Sequence, residues 1–351
     1  MPKKNGTEYR FSFGPWNIHE GADPFGPPVR TSYSFEEKIG FYKQLGFQGV
    51  QFHDDDAVPN LEGQTRDQIL KKAREVRQLL EEHKLVAEFV APRLWEDPRT
   101  IDGAYTSNDP DEREHAIQRS LTAIDIAREL GTVKIVLWLA REGTYMREAK
   151  NPSTATGRIV EAINKMLEYD RQVKILIEPK PNEPMDQAYI PTVGHAIGLS
   201  YKTADQSRVG ALIETAHCLL AGLDPSDEMG YALYHGKLWG VHLNDQNGLK
   251  FDEDRSFGAI NLRRAFDQVR VLEEGGYGRN GEFVGLDVKA VRTQRRERST
   301  EHLSNSRQSF LYLVDKVRTL DREKERGFIE ARDYEGLDLF ILEHLMGAKK
   351  A

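Results

Sequence analysis

Short runs of β-branched and aromatic residues recur along this chain, and each run is followed by a longer amphipathic stretch. There are eight such runs, at residues 10–14, 49–53, 85–90, 133–138, 174–178, 209–214, 238–243 and 283–287. Strands of a parallel sheet are covered on both faces and therefore read as nearly continuous apolar runs. The alternation predicts an α/β fold, a TIM (β/α)8 barrel, which suits a chain of 351 residues.

The stretches between these runs carry helix start and stop signals. Ser34 followed by Glu37 predicts a capping box, and Gly46 predicts the end of that helix. A later helix is expected to start at Asn108 or Asp109. No repeat in residue identity and no low-complexity linker divides the chain, so a single barrel is the simpler interpretation.

We predict that the barrel domain covers residues 8–320 and that residues 321–351 form a short C-terminal helical arm. The arm has apolar side chains at helical spacing, namely Leu337, Phe340, Ile341 and Leu345. Such a face needs a partner, either the outside of the barrel or a neighbouring subunit. We favour the neighbouring subunit.

Composition excludes several classes of protein. The 49 Lys and Arg against 56 Asp and Glu give a net charge of −7 without a long basic tract, which argues against nucleic acid or an anionic membrane as the main partner. The single cysteine, Cys218, allows no intrachain disulfide, and no stretch approaches 18 apolar residues. We expect a cytoplasmic protein with a small-molecule ligand.

Chemically unusual residues lie at the predicted carboxyl ends of the strands, where enzymes with this fold place their active sites. They are Trp16, His53 to Asp56, Trp138, Glu178, Lys180, Glu214, His217, His242 and Asp287. Three carboxylates converging on one barrel mouth, from Glu178, Glu214 and Asp287, would repel one another unless a cation neutralised them. Oxygen ligands with some imidazole suit Mg, Mn or Co.

A second ion is indicated by Glu214, His217, Asp252 and Asp254. The D-x-D spacing of the two aspartates places both carboxylates on one side of an extended segment. Two divalent cations that share Glu214 would form a two-metal clamp.

A resemblance to a known family covers nearly the whole chain, from Phe11 to the closing EHLMGA. It rests on the segments FGPWNIHEGADPFG, GVQFHDDD, ILIEPKPNEP, HLNDQNGLKFDED and FVGLDVKAVRT. These segments closely resemble the xylose isomerase family, in its shorter, actinobacterial-type branch. The resemblance implies a metal-dependent aldose–ketose isomerase, an intramolecular oxidoreductase that converts D-xylose to D-xylulose, and that also accepts D-glucose, by a 1,2-hydride shift. It also implies a homo-oligomer, commonly a tetramer, although the short arm leaves a dimer open.

The resemblance further implies roles for residues around the metals. Lys180 would hold the substrate carbonyl oxygen, and His53 backed by Asp56 would assist ring opening. Trp16 and Trp138 would wall the substrate pocket.

Three aromatic or imidazole positions need separate comment. Phe25 resembles an aromatic residue that family members insert into a neighbouring subunit's site. Trp95 stands where the family usually has phenylalanine, so it should narrow the pocket. His242 stands where the family usually has an aspartate; an imidazole still binds a metal but removes one negative charge, which should weaken Mg and favour Mn or Co.

The His242 departure leaves three functions open. The first is the two-metal hydride-shift isomerase. The second is a single-metal sugar 3-epimerase or proton-transfer isomerase, in which Glu178 and Asp287 act as paired bases. The third is a non-catalytic sugar-binding relative. The remaining histidines are expected at the surface: His19, His83, His115, His195, His235, His302 and His344.

Overall fold

The computed structural model of the protein describes residues 7–347 and contains a closed barrel of eight parallel strands. The strands, labelled β1 to β8, are Arg10–Phe13, Gly49–His53, Val86–Ala91, Lys134–Trp138, Lys174–Glu178, Val209–Glu214, Leu238–Leu243 and Phe283–Leu286. Each strand pairs with its sequence neighbours, and β1 closes the ring by pairing with both β2 and β8. The predicted fold class is confirmed.

Helices pack around this barrel. They are α1 Phe35–Leu45, α2 Asp54–Ala57, α3 Arg66–Glu82, α4 Pro110–Leu130, α5 Pro152–Tyr169, α6 Val193–Ser200, α7 Thr215–Leu220, α8 Pro225–Tyr234, α9 Leu262–Glu274, α10 Glu301–Thr319, α11 Arg322–Ala331 and α12 Tyr334–Met346. Single 3-10 turns occupy Pro15–Asn17, Pro98–Thr100, Arg147–Ala149, Gln206–Arg208 and Arg296–Arg298. A two-stranded antiparallel ribbon, Gly143–Thr144 with Gln187–Ala188, joins the loops that follow β4 and β5.

The predicted helix boundaries of α1 and α4 are confirmed. Ser34 accepts a hydrogen bond from the Glu37 amide, and the Glu37 carboxylate accepts one from the Ser34 amide, which completes the capping box before α1. Gly46 ends α1 in the left-handed region. Asp109, the second of the two residues considered, caps α4.

The interior of the barrel is divided into an apolar side and a polar side. On the apolar side Phe89, Ala91, Val136, Leu176 and Leu212 pack together. The polar side is a hydrogen-bonded trio. Ser12 donates to Glu88, and the Gln51 side-chain amide donates to Ser12 Oγ at 3.1 Å and to Glu88 at 3.2 Å. All three polar residues are buried, so their mutual bonding satisfies groups that would otherwise be costly.

The C-terminal helices use part of their apolar surface within the chain. Ile341 of α12 is buried in the main core, and Leu337, Phe340 and Leu345 pack against that core. Arg270 of α9 pairs with the buried Glu325 of α11 at 2.5 Å. Attachment of this arm to a neighbouring subunit stays a prediction. Within residues 7–347 no helix is both long and apolar enough to cross a membrane.

Two glycines provide a test of how tightly the barrel is packed. A Cβ added to Gly285 of β8 would lie 2.4 Å from the Val241 carbonyl oxygen and 2.6 Å from Gln51 Nε2. Gly157, an exposed position of α5, has open space around it. We expect Gly285→Ala to lower the free energy of unfolding by about 2 kcal/mol through overpacking. Gly157→Ala should raise it by about 0.5 kcal/mol through helix propensity. Urea titration of both variants checks this contrast, and equal effects would contradict it.

Candidate functional site

Four consecutive strands deliver potential ligands to one end of the barrel. Glu178 ends β5, Glu214 ends β6, His242 lies in β7 and Asp287 follows β8. Glu214 and His242 are direct partners in the sheet register, and His242 is paired on its other side with Gly285. Because parallel strands all end on the same side, these side chains meet at the carboxyl mouth, as the sequence predicted.

A first donor group consists of Glu178, Glu214 and His242, whose ligand atoms all lie within 4.8 Å of one another. His242 Nδ1 is 3.2 Å from Glu178 Oε1. Asp287 belongs to a separate triplet, Glu214 with Asp254 and Asp287, which shares only Glu214 with the first group. Three of the four predicted ligands of the first ion, Glu178, Glu214 and His242, therefore lie together, whereas Asp287 lies nearer to Asp254.

A second donor group consists of Glu214, His217 and Asp252. His217 Nε2 lies 3.1 Å from Glu214 Oε2 and 3.2 Å from Asp252 Oδ2. Glu214 belongs to every one of these groups, so it is the side chain that two ions would share. Asn244 donates to Glu214 at 2.9 Å and to Asp254 at 3.1 Å, which fixes the orientation of both carboxylates.

Electrostatic strain is concentrated on Glu214. Its burial raises the pKa of the carboxyl well above the usual range, and the neighbouring charges of Asp252, Asp254, Asp287 and Glu178 raise it further. Burial and the adjacent Asp252 likewise raise the pKa of Asp254. Without a cation, the negative charges of these carboxyl groups would repel one another.

Glu178 and His242 behave as an ion pair in the metal-free protein. Burial opposes ionisation of Glu178, but the positive charges of His242 and His217 outweigh it and lower the pKa of Glu178 to about 2. Burial opposes protonation of His242, but Glu178 and Asp287 outweigh it and raise the pKa of His242 to about 9. A proton on His242 thus partly takes the place that a metal ion would fill.

The donor set fits a divalent cation. Nδ1 of His217 and Oδ1 of Asp252 are buried and lack a hydrogen-bond partner among the described residues. Carboxylate oxygens with two imidazoles form a mixed oxygen and nitrogen set that suits Mn or Co as well as Mg. The orphaned atoms and the mutual repulsion of the carboxylates both point to bound metal.

Two lysines flank the carboxylates: Lys180 is buried, and Lys289 has 42% of its side chain exposed. Lys180 Nζ lies 3.0 Å from Asp252 Oδ2 and 3.0 Å from Glu183 Oε2. Lys289 pairs with Asp254. Burial lowers the pKa of each ammonium, but the surrounding carboxylates outweigh it and keep both lysines charged. Lys180 therefore reaches the second donor group, and Lys289 was not anticipated from the sequence.

A cavity of about 850 Å³ opens above the donor groups. Trp16, Trp95 and Trp138 line it. Trp95 meets Trp138 edge to face, with ring centroids 4.7 Å apart, and Trp16 Nε1 donates to Asp287 at 3.0 Å. These rings form an apolar wall directly beside the carboxylates.

His53 lies on the tryptophan side of the cavity and contacts Asp56. Its Nδ1 is 2.9 Å from Asp56 Oδ2. Arg93, which the sequence analysis did not identify, contacts the same nitrogen at 2.7 Å. The grouping of His53, Asp55 and Asp56 resembles a metal site, but the Arg93 guanidinium already supplies it with positive charge.

Phe25 does not line the cavity of its own chain. Its side chain is 78% exposed and meets only the edge of Phe251, with centroids 5.3 Å apart. This exposure leaves the prediction that it inserts into a neighbour's site untested.

Two histidines expected at the surface are not there. His302 of α10 is buried and its Nε2 donates to the Asn17 carbonyl oxygen at 3.0 Å, and His19 lines the cavity. Asn17 in turn donates to Asp287 at 2.7 Å. His302 therefore anchors the turn that orients a predicted metal ligand. Burial lowers the pKa of both His302 and His19 to about 4.

Comparison with known proteins gives one family and one fold. Residues 39–278 match the family described as xylose isomerase-like TIM barrel. A D-tagatose 3-epimerase-like protein is 17% identical, with 88% of this chain and 98% of that chain covered, at a TM-score of 0.62. A xylose isomerase domain protein from Alicyclobacillus acidocaldarius is 12% identical, with 88% and 100% covered, at 0.62. A 3-keto-D-glucoside 4-epimerase from E. coli is 15% identical, with 86% and 100% covered, at 0.60. At these identities the likeness establishes the shared fold.

The buried His302 gives a pH-dependent prediction. Because its pKa is about 4 when folded and about 6.5 when unfolded, the unfolded chain takes up a proton first as pH falls. The contribution of neutral His302 to the free energy of unfolding is fully present above pH 6.5. It falls by about 3 kcal/mol as the pH is lowered to 4. His302→Gln, which keeps a donor for Asn17, should remove that part of the acid sensitivity. Urea unfolding at several pH values checks this, with the exposed His195→Gln as a control that leaves the slope unchanged.

The shared Glu214 gives a metal-dependent prediction. In the metal-free protein Glu214→Gln relieves the repulsion and should raise Tm by about 2 °C. In the wild type a thousandfold excess of Mn²⁺ over its dissociation constant should raise Tm by about 5 °C, and the variant should lose most of that gain. Calorimetry with and without metal measures both effects. Glu253→Gln, on the same loop as Asp252, is the matched control and should respond to Mn²⁺ like wild type; a full Mn²⁺ response in Glu214→Gln would contradict the assignment.

Proposed function

The chain belongs to the xylose isomerase-like TIM barrel family, and from that premise we propose that it is a divalent-metal-dependent aldose–ketose isomerase. The observation that carries the proposal is the pair of donor groups sharing Glu214 beneath a tryptophan-walled cavity. Within the family, the quoted sequence motifs favour xylose isomerase of the shorter, actinobacterial type. D-xylose is then the first substrate to test, followed by D-glucose.

The proposed metal ligands follow the two donor groups. Glu178, Glu214, His242 and Asp287 would hold one ion, and Glu214, His217, Asp252 and Asp254 would hold the other. Bound divalent cations would supply positive charge that binds adjacent sugar oxygens and polarises a carbonyl. Replacement of a family aspartate by His242 favours Mn or Co over Mg.

Residues of the chain would perform the remaining tasks. Lys180 carries a buried ammonium next to Asp252 and Glu183, and a rotation of its side chain would let it donate to the sugar carbonyl oxygen. Trp16, Trp95 and Trp138 exclude water, which matters because a hydride passing between C2 and C1 would be lost to solvent protons. Both tasks concern the same two sugar carbons.

A second candidate function uses the same side chains with one metal ion and with two carboxylates as bases. With His242 the ligand series along β5 to β8 reads Glu, Glu, His and Asp, and in a site that holds one ion Glu178 and Asp287 would act as paired bases. One would remove a proton beside the ketone and the other would return it, which gives epimerisation at C3 or isomerisation through an enediol. A non-catalytic sugar-binding protein is the third candidate.

The proposal extends to the setting of the enzyme. We propose a homo-oligomer, a tetramer or a dimer, in the cytoplasm. Exposed Phe25 and the exposed outer face of α12, with Leu339, Leu342 and Met346, are the surfaces proposed for subunit contact.

Turnover in deuterated water separates the candidates. Chelated protein is resupplied with Mg, Mn or Co, incubated with aldopentoses, aldohexoses and their ketoses, and the products are examined by NMR. A hydride shift predicts ketose without solvent deuterium at C1. Proton transfer predicts deuterium at C1, or at C3 of an inverted ketose, and would replace the hydride-shift proposal.

A lysine variant separates chemistry from metal binding. Lys180→Met should lower kcat at least a hundredfold, because one positioned donor to the reacting oxygen is lost. Metal stoichiometry measured by elemental analysis should stay unchanged, since Lys180 is not a proposed ligand. Unchanged kcat in Lys180→Met would remove the assigned role, and absence of turnover in wild type with every metal and sugar would favour the binding relative.

A further inference from the structure

Arg93 and Asp56 compete for one nitrogen of His53. Arg93 Nη2 lies 2.7 Å from His53 Nδ1, and Asp56 Oδ2 lies 2.9 Å from the same atom. A neutral imidazole carries a single N–H, so Nδ1 either donates to Asp56 or accepts from Arg93. The choice decides what the other nitrogen, Nε2, can do in the cavity.

The chemistry of the guanidinium favours acceptance. An arginine stays protonated and has no lone pair to offer, so a 2.7 Å approach requires an unprotonated Nδ1. Asp56 Oδ2 already accepts a hydrogen bond from the His53 backbone amide at 3.1 Å, so it does not depend on a donor from the ring.

Neither partner is free to move away. Arg93 Nε donates to Asp55 at 2.8 Å and Nη1 donates to Glu96 at 3.2 Å, which holds the guanidinium in place. The His53 ring lies against Trp16, with centroids 4.1 Å apart, and against the edge of Trp95 at 5.1 Å. A 180° flip of the ring, which would put Cδ2 in the place of Nδ1, would have to pass these aromatic rings.

We propose that Arg93 holds His53 with its proton on Nε2, so that His53 donates a hydrogen bond to a substrate oxygen and does not accept a proton from one. His53 lines the cavity, and its Nε2 has no protein partner among residues 7–347. Arg93 is thus a positioning residue that acts through His53.

The proposal rests on the proposed sugar isomerase function and narrows its substrate. Opening a cyclic sugar requires a group that takes the proton of the anomeric hydroxyl while the ring oxygen gains one. On this assignment His53 has no lone pair for that proton. His53 therefore cannot open the ring as a base, and sugars that reach the site with a free carbonyl should be favoured over the cyclic forms of D-xylose and D-glucose.

The protonation of His53 is measured directly by NMR. Full-length protein is labelled with ¹⁵N at its histidine rings and saturated with diamagnetic Mg²⁺, and two-bond ¹H–¹⁵N correlations report which ring nitrogen carries the proton. His53→Gln identifies the signal. A proton on Nε2 in the wild type is expected, and a proton on Nδ1 or on both nitrogens at pH 8 would overturn the proposal.

Two matched arginine variants test the cause. Arg93 and Arg119 are similarly buried, with side chains 19% and 16% exposed, and both bind Asp55, but only Arg93 contacts His53. In Arg93→Leu the proton should move to Nδ1 and face Asp56, whereas Arg119→Leu should keep it on Nε2. A proton that stays on Nε2 in Arg93→Leu would overturn the role of Arg93.

Substrate preference gives an independent check of the consequence. Erythrulose is a four-carbon ketose that cannot close a five- or six-membered ring. Its kcat/KM, calculated from the total sugar concentration, should be at least tenfold above that of sugars that form pyranose rings. Arg93→Leu should reduce that ratio. Because the tautomer is read without substrate, its failure is distinguishable from failure of the isomerase function, which the turnover experiment in deuterated water tests.

Discussion

The repulsion among buried carboxylates at the barrel mouth is the constraint around which this structure is organised. Closing eight parallel strands brings Glu178, Glu214 and Asp287 to one axis, and the loop after β7 adds Asp252 and Asp254. Lys180 and Lys289 offset only part of this charge, so the barrel mouth is a place where the carboxylates could hold cations. Much of the surrounding polar framework, including Asn244, Asn17 and Trp16, donates to these carboxylates and holds them in an arrangement that they would not adopt unaided.

The sequence could predict the barrel and the ligand positions for a common physical reason. Strands covered on both faces must be apolar throughout, so a charged side chain at the end of such a run marks the barrel mouth, as Glu178 and Glu214 do. The same argument could also have predicted that Asn244 belongs to the site, because it lies two residues after His242 and so shares its face. Arg93 and His302 were not, because neither is part of a strand and each acts across the fold. His302 bonds to Asn17, 285 residues away, and no local pattern reports such a contact.

The uneven interior of the barrel explains how so polar a site is tolerated. Phe89, Val136, Leu176 and Leu212 fill one side, while Ser12, Gln51 and Glu88 satisfy one another on the other. Gly285 leaves room between Gln51 and His242, since a Cβ there would lie 2.6 Å from Gln51 Nε2 and 3.2 Å from His242 Cδ2. A close-packed polar layer therefore supports the donor groups from below, and the apolar layer supplies the burial that stabilises the fold.

His242 and Arg93 act in the same direction on opposite sides of the cavity. His242 replaces a carboxylate in the first donor group, which makes the metal side less negative by one charge. Arg93, on the tryptophan side, adds a fixed positive charge and, on the proposed protonation, turns His53 toward the cavity as a donor. Together with Lys180 these changes favour an oxygen that gains negative charge, such as the carbonyl oxygen of an open-chain sugar as its neighbouring carbon is deprotonated or loses a hydride. They disfavour the neutral cyclic form, which offers no such oxygen. The site is consequently better matched to rearranging a free carbonyl sugar than to generating one.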